Sequence, residues 1–387
     1  MTAPQWIVEP PLSVARNLHT ATLTKQGEVL VVGGEGAGMV HESAETRRSE
    51  SATWVDAGLS GHARFQHAAA LLTNGNVVVL GGYGYGQYLA DVSSYNPSTG
   101  LWADLPSLSE ARLATAAVPF ASGELFVIAG YNDAGLTAST ELYNPATSTW
   151  VETAPLPAPR NRHTATLLPD GKVLVVGGFN GATGMTDAYV YTPETDMWSQ
   201  VASLVYGRWQ HTASLLPDGR VVVAGGHTNS GGLPVVEIFD PATGEWGLAA
   251  SMSTGRYGAT ASLLPDGRVL IAGGNTGEGA TASVEAYTPE SDSWAAGPDL
   301  NVARFGHTAT VLPKGGVLVV GGSDNSGPIR DVELYSEETQ GEGGTTGEAS
   351  GGGCQVTHLD GAPSWGWGAL LVGAICVFGR FFRRVGR

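Results

Sequence analysis

The sequence predicts an all-β protein built from seven copies of one unit, because its landmark residues recur every 48 positions. Seven arginines share this spacing: Arg16, Arg64, Arg112, Arg160, Arg208, Arg256 and Arg304. Seven tryptophans do the same: Trp6, Trp54, Trp102, Trp150, Trp198, Trp246 and Trp294. A Gly-Gly pair also returns in each unit, with Ala129-Gly130 as the one exception. The register never slips, so the seven units form one array.

Residues 160–198 show the content of one unit. The run HTATLL is apolar and β-branched, PDG is a tight turn, and KVLVV is a second strand that ends in Gly-Gly. A variable loop, a strand near Tyr191, another turn and a short strand with Trp198 follow. Four antiparallel strands per unit, apolar on both faces, predict sheets stacked around an axis as a β-propeller over residues 1–338.

The order of apolar run, Gly-Gly, Tyr and Trp resembles the kelch repeat, and the HTATLLPDGKVLVVGG form is most similar to the central propeller of the galactose-oxidase group. The resemblance implies a seven-bladed kelch β-propeller. The seventh unit has Glu342 where its tryptophan would fall, and Trp6 stands 48 residues before Trp54. We therefore expect the N-terminal strand to complete the last blade and to close the ring.

Two further columns predict how the blades are held together. Glutamate stands two positions before the conserved tyrosine at Glu45, Glu141, Glu237, Glu285 and Glu333. Because function seldom needs seven copies of one residue, we interpret the arginine and glutamate columns as repeated structural ion pairs. Histidine occupies one column at His19, His67, His163, His211 and His307. A ring of imidazoles suggests a metal site, but a strand between blades favours core histidines bonded to backbone carbonyls.

Two sets of loops are expected at one end of the disc, which we call the variable face. One set follows each Gly-Gly pair, and the other leads into each innermost strand. The sequences of both sets differ between units, whereas the PDG and YNPxT turns at the opposite end of the disc are repeated. Binding is usually built on divergent loops of a common scaffold. The predicted ligand-binding residues are Phe65, Gln66, Tyr83, Tyr85, Tyr131, Asn161, Arg162, Phe179, Trp209, Gln210, His227, Tyr257 and Phe305. Aromatic rings beside Asn and Asp suit a sugar or an extended peptide; the alternative is that these rings fill gaps between blades.

The galactose-oxidase resemblance also implies copper-radical chemistry, in which a Tyr directly followed by His in an Arg-x-Tyr-His strand supplies two ligands. Here none of the column histidines follows a Tyr, and Tyr257 lies near Ala259 where the His would stand. The propeller also contains no Cys that could crosslink to a ligand tyrosine. These departures count against the oxidase, and we expect no catalytic residue, metal or cofactor.

The C-terminal region differs in composition. Residues 339–360 form a Gly-rich linker with Cys354, and residues 361–387 contain a charge-free run from Gly361 to Gly379 followed by arginines. Nineteen such residues would span about 28 Å as a helix, enough to cross a bilayer. This order resembles the sorting tails of myxobacterial surface proteins, which implies export, processing or anchoring at Cys354, and attachment to the surface. No signal peptide is recognisable near Met1, so we expect a start further upstream.

The charge of the chain restricts its partners. The net charge is −16, which disfavours nucleic acid. The sequence therefore predicts a monomeric, membrane-tethered module at the cell surface that binds a protein or carbohydrate ligand. The alternatives are an exported galactose-oxidase-like or other carbohydrate-active enzyme, and an adhesion or scaffold protein.

Overall fold

A computed structural model describes residues 3–49 and 51–337, which form seven four-stranded antiparallel sheets. No helix occurs in this part of the chain. The innermost strands of successive sheets touch one another around the whole ring, including those of the last sheet and the first. The predicted seven-bladed β-propeller is confirmed.

Each blade has strands a to d from the axis outward, in chain order except in blade 7. Blade 1 comprises Thr20–Leu23, Val29–Val32, Ser43–Arg47 and Trp54–Leu59. Blade 2 comprises Ala68–Leu71, Val77–Leu80, Val92–Asn96 and Leu101–Leu105. Blade 3 comprises Ala116–Pro119, Leu125–Asn132, Gly135–Asn144 and Thr149–Thr153. Blade 4 comprises Thr164–Leu167, Val173–Val176, Ala188–Thr192 and Met197–Gln200. Blade 5 comprises Thr212–Leu215, Val221–Ala224, Val236–Asp240 and Glu245–Ala249. Blade 6 comprises Thr260–Leu263, Val269–Ala272, Val284–Thr288 and Ser293–Ala296. Blade 7 comprises Thr308–Val311, Val317–Val320, Val332–Ser336 and Gln5–Glu9.

The N-terminal strand closes the ring as expected. Gln5–Glu9 pairs antiparallel with Val332–Ser336, which places Trp6 opposite Tyr335. In the other six blades strand d follows strand c along the chain. Blade 7 instead joins the two ends of the propeller, so the ring cannot open without breaking this ladder.

The core lies between blades and not inside them. The first four residues of strand b are buried in every blade, because both faces of the strand meet neighbouring sheets. They read VLVV or a close variant in six blades and LFVI in blade 3. The buried side chains separate into seven apolar clusters, one at each junction between adjacent blades. Each unit therefore depends on its neighbours for its core.

The seven tryptophans connect adjacent blades. Each indole Nε1 donates a hydrogen bond of 2.7–3.0 Å to a backbone carbonyl of the preceding blade, such as Trp198 to Ala154 and Trp6 to Pro298. In six blades the indole also packs on the tyrosine or phenylalanine of its own strand c, as Trp198 does on Tyr191. Each tryptophan in this column thus makes contacts both within its own blade and across the junction with the preceding blade.

The seven arginines are fully buried under the variable face and join strands b and c of their own blade. Arg16 Nη1 donates to the carbonyls of Gly33 and Ser43, and its Nη2 lies 2.9 Å from Glu45 Oε1. The same ion pair occurs at 2.5–2.8 Å in the blades of Arg112, Arg208, Arg256 and Arg304. The predicted structural pairing of the arginine and glutamate columns is confirmed in these five blades.

The Gly-Gly pair lies where the backbone of the next blade approaches closely and leaves no room for a side chain. Gly34 N donates to the carbonyl of Arg64, and a Cβ on Gly33 would lie 2.4 Å from that same oxygen. Gly33 also has a φ of +65°, which glycine adopts without strain. The second residue of every pair makes this hydrogen bond to the arginine of the following blade, so the glycine column and the arginine column form one junction.

Two blades lack the glutamate and resolve the loss differently. In the other five, the second carboxylate oxygen accepts from the amide three residues before the arginine, as Glu141 does from Ser109. Blade 4 has Pro157 at that place, which has no N–H, and Arg160 pairs with Asp187 at 2.7 Å. Blade 2 has Ser93 in place of the glutamate, and both Arg64 Nη2 and Ser93 Oγ are buried without a hydrogen-bond partner. Burial lowers the pKa of Arg64 to about 10.

The column histidines are buried core residues, as predicted, but their partner differs from the expected backbone carbonyl. Nε2 of His19, His67, His211 and His307 lies 2.8–3.0 Å from a threonine hydroxyl on strand a of the preceding blade. His163 faces Ala116 at the corresponding position, and its Nε2 has no hydrogen-bond partner. The histidines therefore connect neighbouring innermost strands by side-chain hydrogen bonds.

The tail lies outside the described residues, and so do the predicted linker, Cys354 and the predicted membrane helix over 361–387. Within residues 3–49 and 51–337 there is no helix with the length and apolar character needed to cross a membrane.

Candidate functional site on the variable face

The variable face is organised by one backbone contact that every blade repeats. The residue after each arginine forms an antiparallel bridge with the residue after the Gly-Gly pair, as Phe65 does with Tyr83 and Trp209 does with His227. The seven bridges bring the two sets of variable loops side by side, as the sequence predicted. Short hairpins extend from this layer: Glu35–Gly36 with Met39–Val40, Tyr83–Gly84 with Gln87–Tyr88, and His227–Thr228 with Gly231–Gly232.

A ring of seven main-chain hydrogen bonds runs around the axis directly beneath these loops. The residue two positions after each arginine donates its N–H to the carbonyl of its counterpart in the preceding blade, over 3.0–3.3 Å. The seven members are Leu18, Gln66, Ala114, Arg162, Gln210, Gly258 and Gly306. All seven have φ between +51° and +66°, which is costly for the five that are not glycine. The sequence pattern did not lead us to predict this ring, although glycine at two of the seven positions was a signal of the positive φ.

The predicted aromatic residues fall into two groups. In blades 2 and 3, Phe65 contacts Tyr83 (ring centroids 5.8 Å apart), Tyr83 contacts Tyr88 (5.0 Å), and Tyr88 contacts Tyr131 (5.8 Å). We call Tyr83, Tyr88 and Tyr131 the tyrosine wall. Tyr131 is 36% exposed, and Tyr85, at the tip of the hairpin that carries Tyr83 and Tyr88, is 80% exposed. Tyr85 also has a φ of +49°, so its turn holds a large side chain in a region that usually favours glycine.

The second group lies in blades 4 to 6. Phe179 contacts Trp209 (4.9 Å), Trp209 contacts His227 (4.5 Å), and His227 contacts Tyr257 (4.4 Å). Partial burial lowers the pKa of His227, and the nearby guanidinium of Arg162 lowers it further. His227 is therefore neutral at pH 7, and the group presents an uncharged aromatic surface beside one arginine.

Several predicted ligand contacts are nearly buried. Gln66, Asn161, Trp209, Gln210 and Tyr257 are each less than a tenth exposed. Their burial favours the alternative in which these side chains fill space between blades and support the face from below. Arg162, Phe179, His227 and Phe305 are half-buried, so they remain available at the surface layer.

Three residues near the tyrosine wall did not appear among the predicted ligand contacts. Tyr88 completes the wall, Asp133 follows Tyr131 in the next hairpin, and Glu110 lies at the loop before Arg112. Glu110 accepts hydrogen bonds from Asn132 Nδ2 and Thr137 Oγ1, both at 2.8 Å, and from Ser139 Oγ. Burial opposes its ionisation, but these hydrogen bonds and the charge of Arg112, whose Nη2 lies 3.6 Å from Glu110 Oε2, outweigh it and lower the pKa of Glu110. Only the tertiary structure brings Tyr88 close to Tyr131 and Asp133, and sets Glu110 against Asn132, the residue between those two.

The chemistry of a copper centre does not match the residues present. The buried histidines face threonines of neighbouring blades, and Tyr257 packs against His227 in the aromatic layer. In the described ranges no three His, Cys, Asp or Glu side chains come together in a way that could hold a metal ion.

Comparison with known families decides the classification. The family described as the KLHDC2/KLHL20/DRC7 Kelch-repeats domain matches residues 18–204, and the Kelch motif matches residues 209–253 and 256–301. The chain is a kelch-repeat β-propeller. The matched ranges cover blades 1 to 6, and blade 7 carries the same arginine, glycine and tyrosine landmarks.

A solved structure shares the fold of this kelch propeller. It is described as a novel fungal alcohol oxidase with catalytic diversity among the AA5 family, in complex with copper. The two chains are 18% identical, with a TM-score of 0.68 over 86% of this chain and 75% of the other. At that identity the similarity shows the fold alone. No curated protein matches the sequence.

Proposed function

We propose that this kelch propeller is a binding module whose variable face holds a protein or carbohydrate ligand. The observation that carries the proposal is the exposed aromatic surface of Tyr85 and Tyr131 on hairpins that a rigid ring supports. Solvent-exposed rings give up water readily and gain contact area when a ligand covers them. The ordered layer beneath them means that little entropy is lost on binding.

The structural roles of the repeated residues favour binding over catalysis. The arginine, glutamate, histidine and tryptophan columns are committed to contacts within and between blades. The side chains that differ between blades are those of the variable-face loops, and these are aromatic, amide and acidic. Such side chains recognise a surface or a chain of sugars without needing to transform it.

The proposal is tested by screening the full chain, purified in detergent, on peptide and glycan arrays. The double variant Tyr85→Ser/Tyr131→Ser should lose at least tenfold in affinity for any ligand found, since each exposed ring contributes about 1 kcal/mol or more. Leu101→Ser/Met197→Ser is the matched control, because both residues are at least 60% exposed but lie at the constant turns. Equal loss in both variants would place binding elsewhere.

We further propose that the chain is displayed at the cell surface and tethered to the membrane through residues 361–387. The support is the charge-free run with its terminal arginines and the resemblance to surface-sorting tails. Membrane fractionation and surface labelling of intact cells test this. Recovery of the full chain in the soluble cytoplasmic fraction would refute it.

An exported oxidase is the second candidate, favoured by the fold shared with the copper-bound alcohol oxidase. The test is reconstitution with copper followed by spectroscopy for a radical site and an assay for alcohol oxidation. Stoichiometric copper uptake with turnover would establish the enzyme, whereas a copper-free, inactive protein would support the binding module.

A further inference from the structure

The tyrosine wall faces a sector of the variable face that is acidic. The loops of blades 2 and 3 around it (60–67, 81–91, 108–115 and 129–139) contain the carboxylates Asp91, Glu110 and Asp133. Their only arginines are Arg64 and Arg112, and both are fully buried. No lysine occurs in these loops. Arg112 Nη2 lies 3.6 Å from Glu110 Oε2 and offsets its charge, so Asp91 and Asp133 supply the negative charge that no exposed arginine or lysine of these loops balances.

The rings of the wall contact one another in sequence across the loops of blades 2 and 3, and Tyr131 at the end is the most exposed of the three. Tyr83 and Tyr88 meet edge to face, with an interplanar angle of 72°, and Tyr88 and Tyr131 are tilted by 57°. Burial raises the pKa of Tyr88, and the nearness of Tyr131, Tyr83 and Asp133 raises it further. The phenol and carboxylate oxygens therefore crowd together, and a positive charge placed among them would be stabilised.

We infer that the tyrosine wall, together with Asp133, binds a lysine or arginine side chain of an extended segment in a partner protein. This inference rests on the proposed binding function and specifies its ligand. A cation over a tyrosine ring is attracted by the negative face of the ring, and nearby carboxylates offset the loss of its hydration. Glu110 has a supporting role: its carboxylate accepts from Asn132, Thr137 and Ser139 and so holds the hairpin that carries Tyr131 and Asp133.

The alternatives are less complementary to this surface. A phosphate or an acidic peptide would meet Asp91 and Asp133 with like charge. A neutral sugar could stack on the rings but would leave the carboxylates without a partner of opposite charge. The second aromatic group, around Trp209, has Arg162 beside it. The loops of its blades contain Asp187, which is already paired with Arg160, and Glu278, so the two halves of the face differ in charge.

The experiment uses the full chain and four labelled decapeptides in which glycine alternates with lysine, arginine, norleucine or glutamate. Fluorescence polarisation should show binding of the lysine and arginine peptides at least tenfold tighter than that of norleucine, and none of glutamate. Tyr131→Leu should weaken the cationic peptides by about tenfold and Asp133→Asn by about threefold. Raising the salt concentration should weaken them too.

Matched controls separate this inference from the proposed function. Phe179→Leu, in the second aromatic group, should leave the cationic peptides unaffected, and thermal unfolding should show that each variant is folded. The inference would be overturned if the lysine and norleucine peptides bound equally well. It would also be overturned if a glycan bound in a way that depends on Tyr131 while the cationic peptides did not bind. Either result would leave the proposed binding function intact. Failure of every array ligand and every peptide would instead remove the proposed function.

Discussion

Arg47 Nη2 lies 2.9 Å from Glu9 Oε2, and this buried ion pair joins the closing strand of blade 7 to blade 1. Arg47 stands where most other blades have tyrosine. The neighbouring Trp54 donates to the carbonyl of Pro10, one residue beyond Glu9. The arginine at this position of blade 1 therefore contributes to the closure of the ring.

Breaking this pair should destabilise the propeller. We expect Glu9→Ala to lower the free energy of unfolding by about 3 kcal/mol, because it leaves a buried guanidinium without its partner. Denaturant titration measures the effect, and Asp170→Ala, which removes half of the exposed pair with Lys172, should cost under about 1 kcal/mol. The double variant Glu9→Ala/Arg47→Tyr should recover most of the loss. Equal effects for the Glu9 and Asp170 variants would contradict the closing role.

Ser93→Glu should stabilise the protein, which is rare for a buried substitution. The new carboxylate would reach the unpartnered Arg64 Nη2, as Glu141 reaches Arg112, and we expect a gain of about 1 kcal/mol in the free energy of unfolding. Tyr189→Glu in blade 4 is the control. It should destabilise, since Pro157 offers no N–H and Arg160 is already paired with Asp187. A destabilising Ser93→Glu would show that blade 2 cannot accept the carboxylate.

The histidine column supplies a pair of variants that differ in one hydrogen bond. His211→Ala should cost about 1–2 kcal/mol more than His163→Ala, because it leaves the buried Thr164 hydroxyl without a partner, whereas His163 Nε2 has none to lose. Ala259 occupies the same column naturally, so the backbone accepts alanine there. The same denaturant titration measures both, and equal costs would refute the role assigned to the threonine contacts.

The same histidines predict a dependence of stability on pH. Burial, and next the charge of the neighbouring arginine, lowers the pKa of His163 and of His307 to about 3 and moves those of His19, His67 and His211 well below 6.5. The unfolded chain binds protons below pH 6.5 while the folded one does not, so stability is complete above that pH and is lost as pH falls towards 3.

Denaturant titrations at pH 7.5, 6 and 5 measure this loss. Each column histidine contributes up to about 1.4 kcal/mol per pH unit below 6.5. The window between pH 6.5 and 5 lies above the ordinary pKa values of the carboxylates, so the histidines dominate it. His67→Thr, which copies Thr115, should reduce the slope by about a fifth. A free energy of unfolding that stays constant between pH 7.5 and 5 would contradict the prediction.

Much of the fold followed from the sequence because a strict period converts one local pattern into seven consistent observations. The 48-residue spacing indicated the blades, Trp6 indicated the closing strand, and the paired columns of Arg and Glu indicated the ion pairs. The partner of the column histidines did not follow, since Thr20 and His67 lie 47 residues apart and meet only when adjacent blades stack.

The sequence by itself determined the number of blades, their closure and the face on which the variable loops lie, because these depend on residues that repeat in every unit. Only the tertiary structure decided which of the variable residues are exposed and which meet. Trp209 and Tyr131 are both aromatic loop residues, yet one is buried and the other is not. The physical reason is that exposure and contact across the ring depend on the loops of two neighbouring blades at once, and no spacing along one unit encodes that pairing.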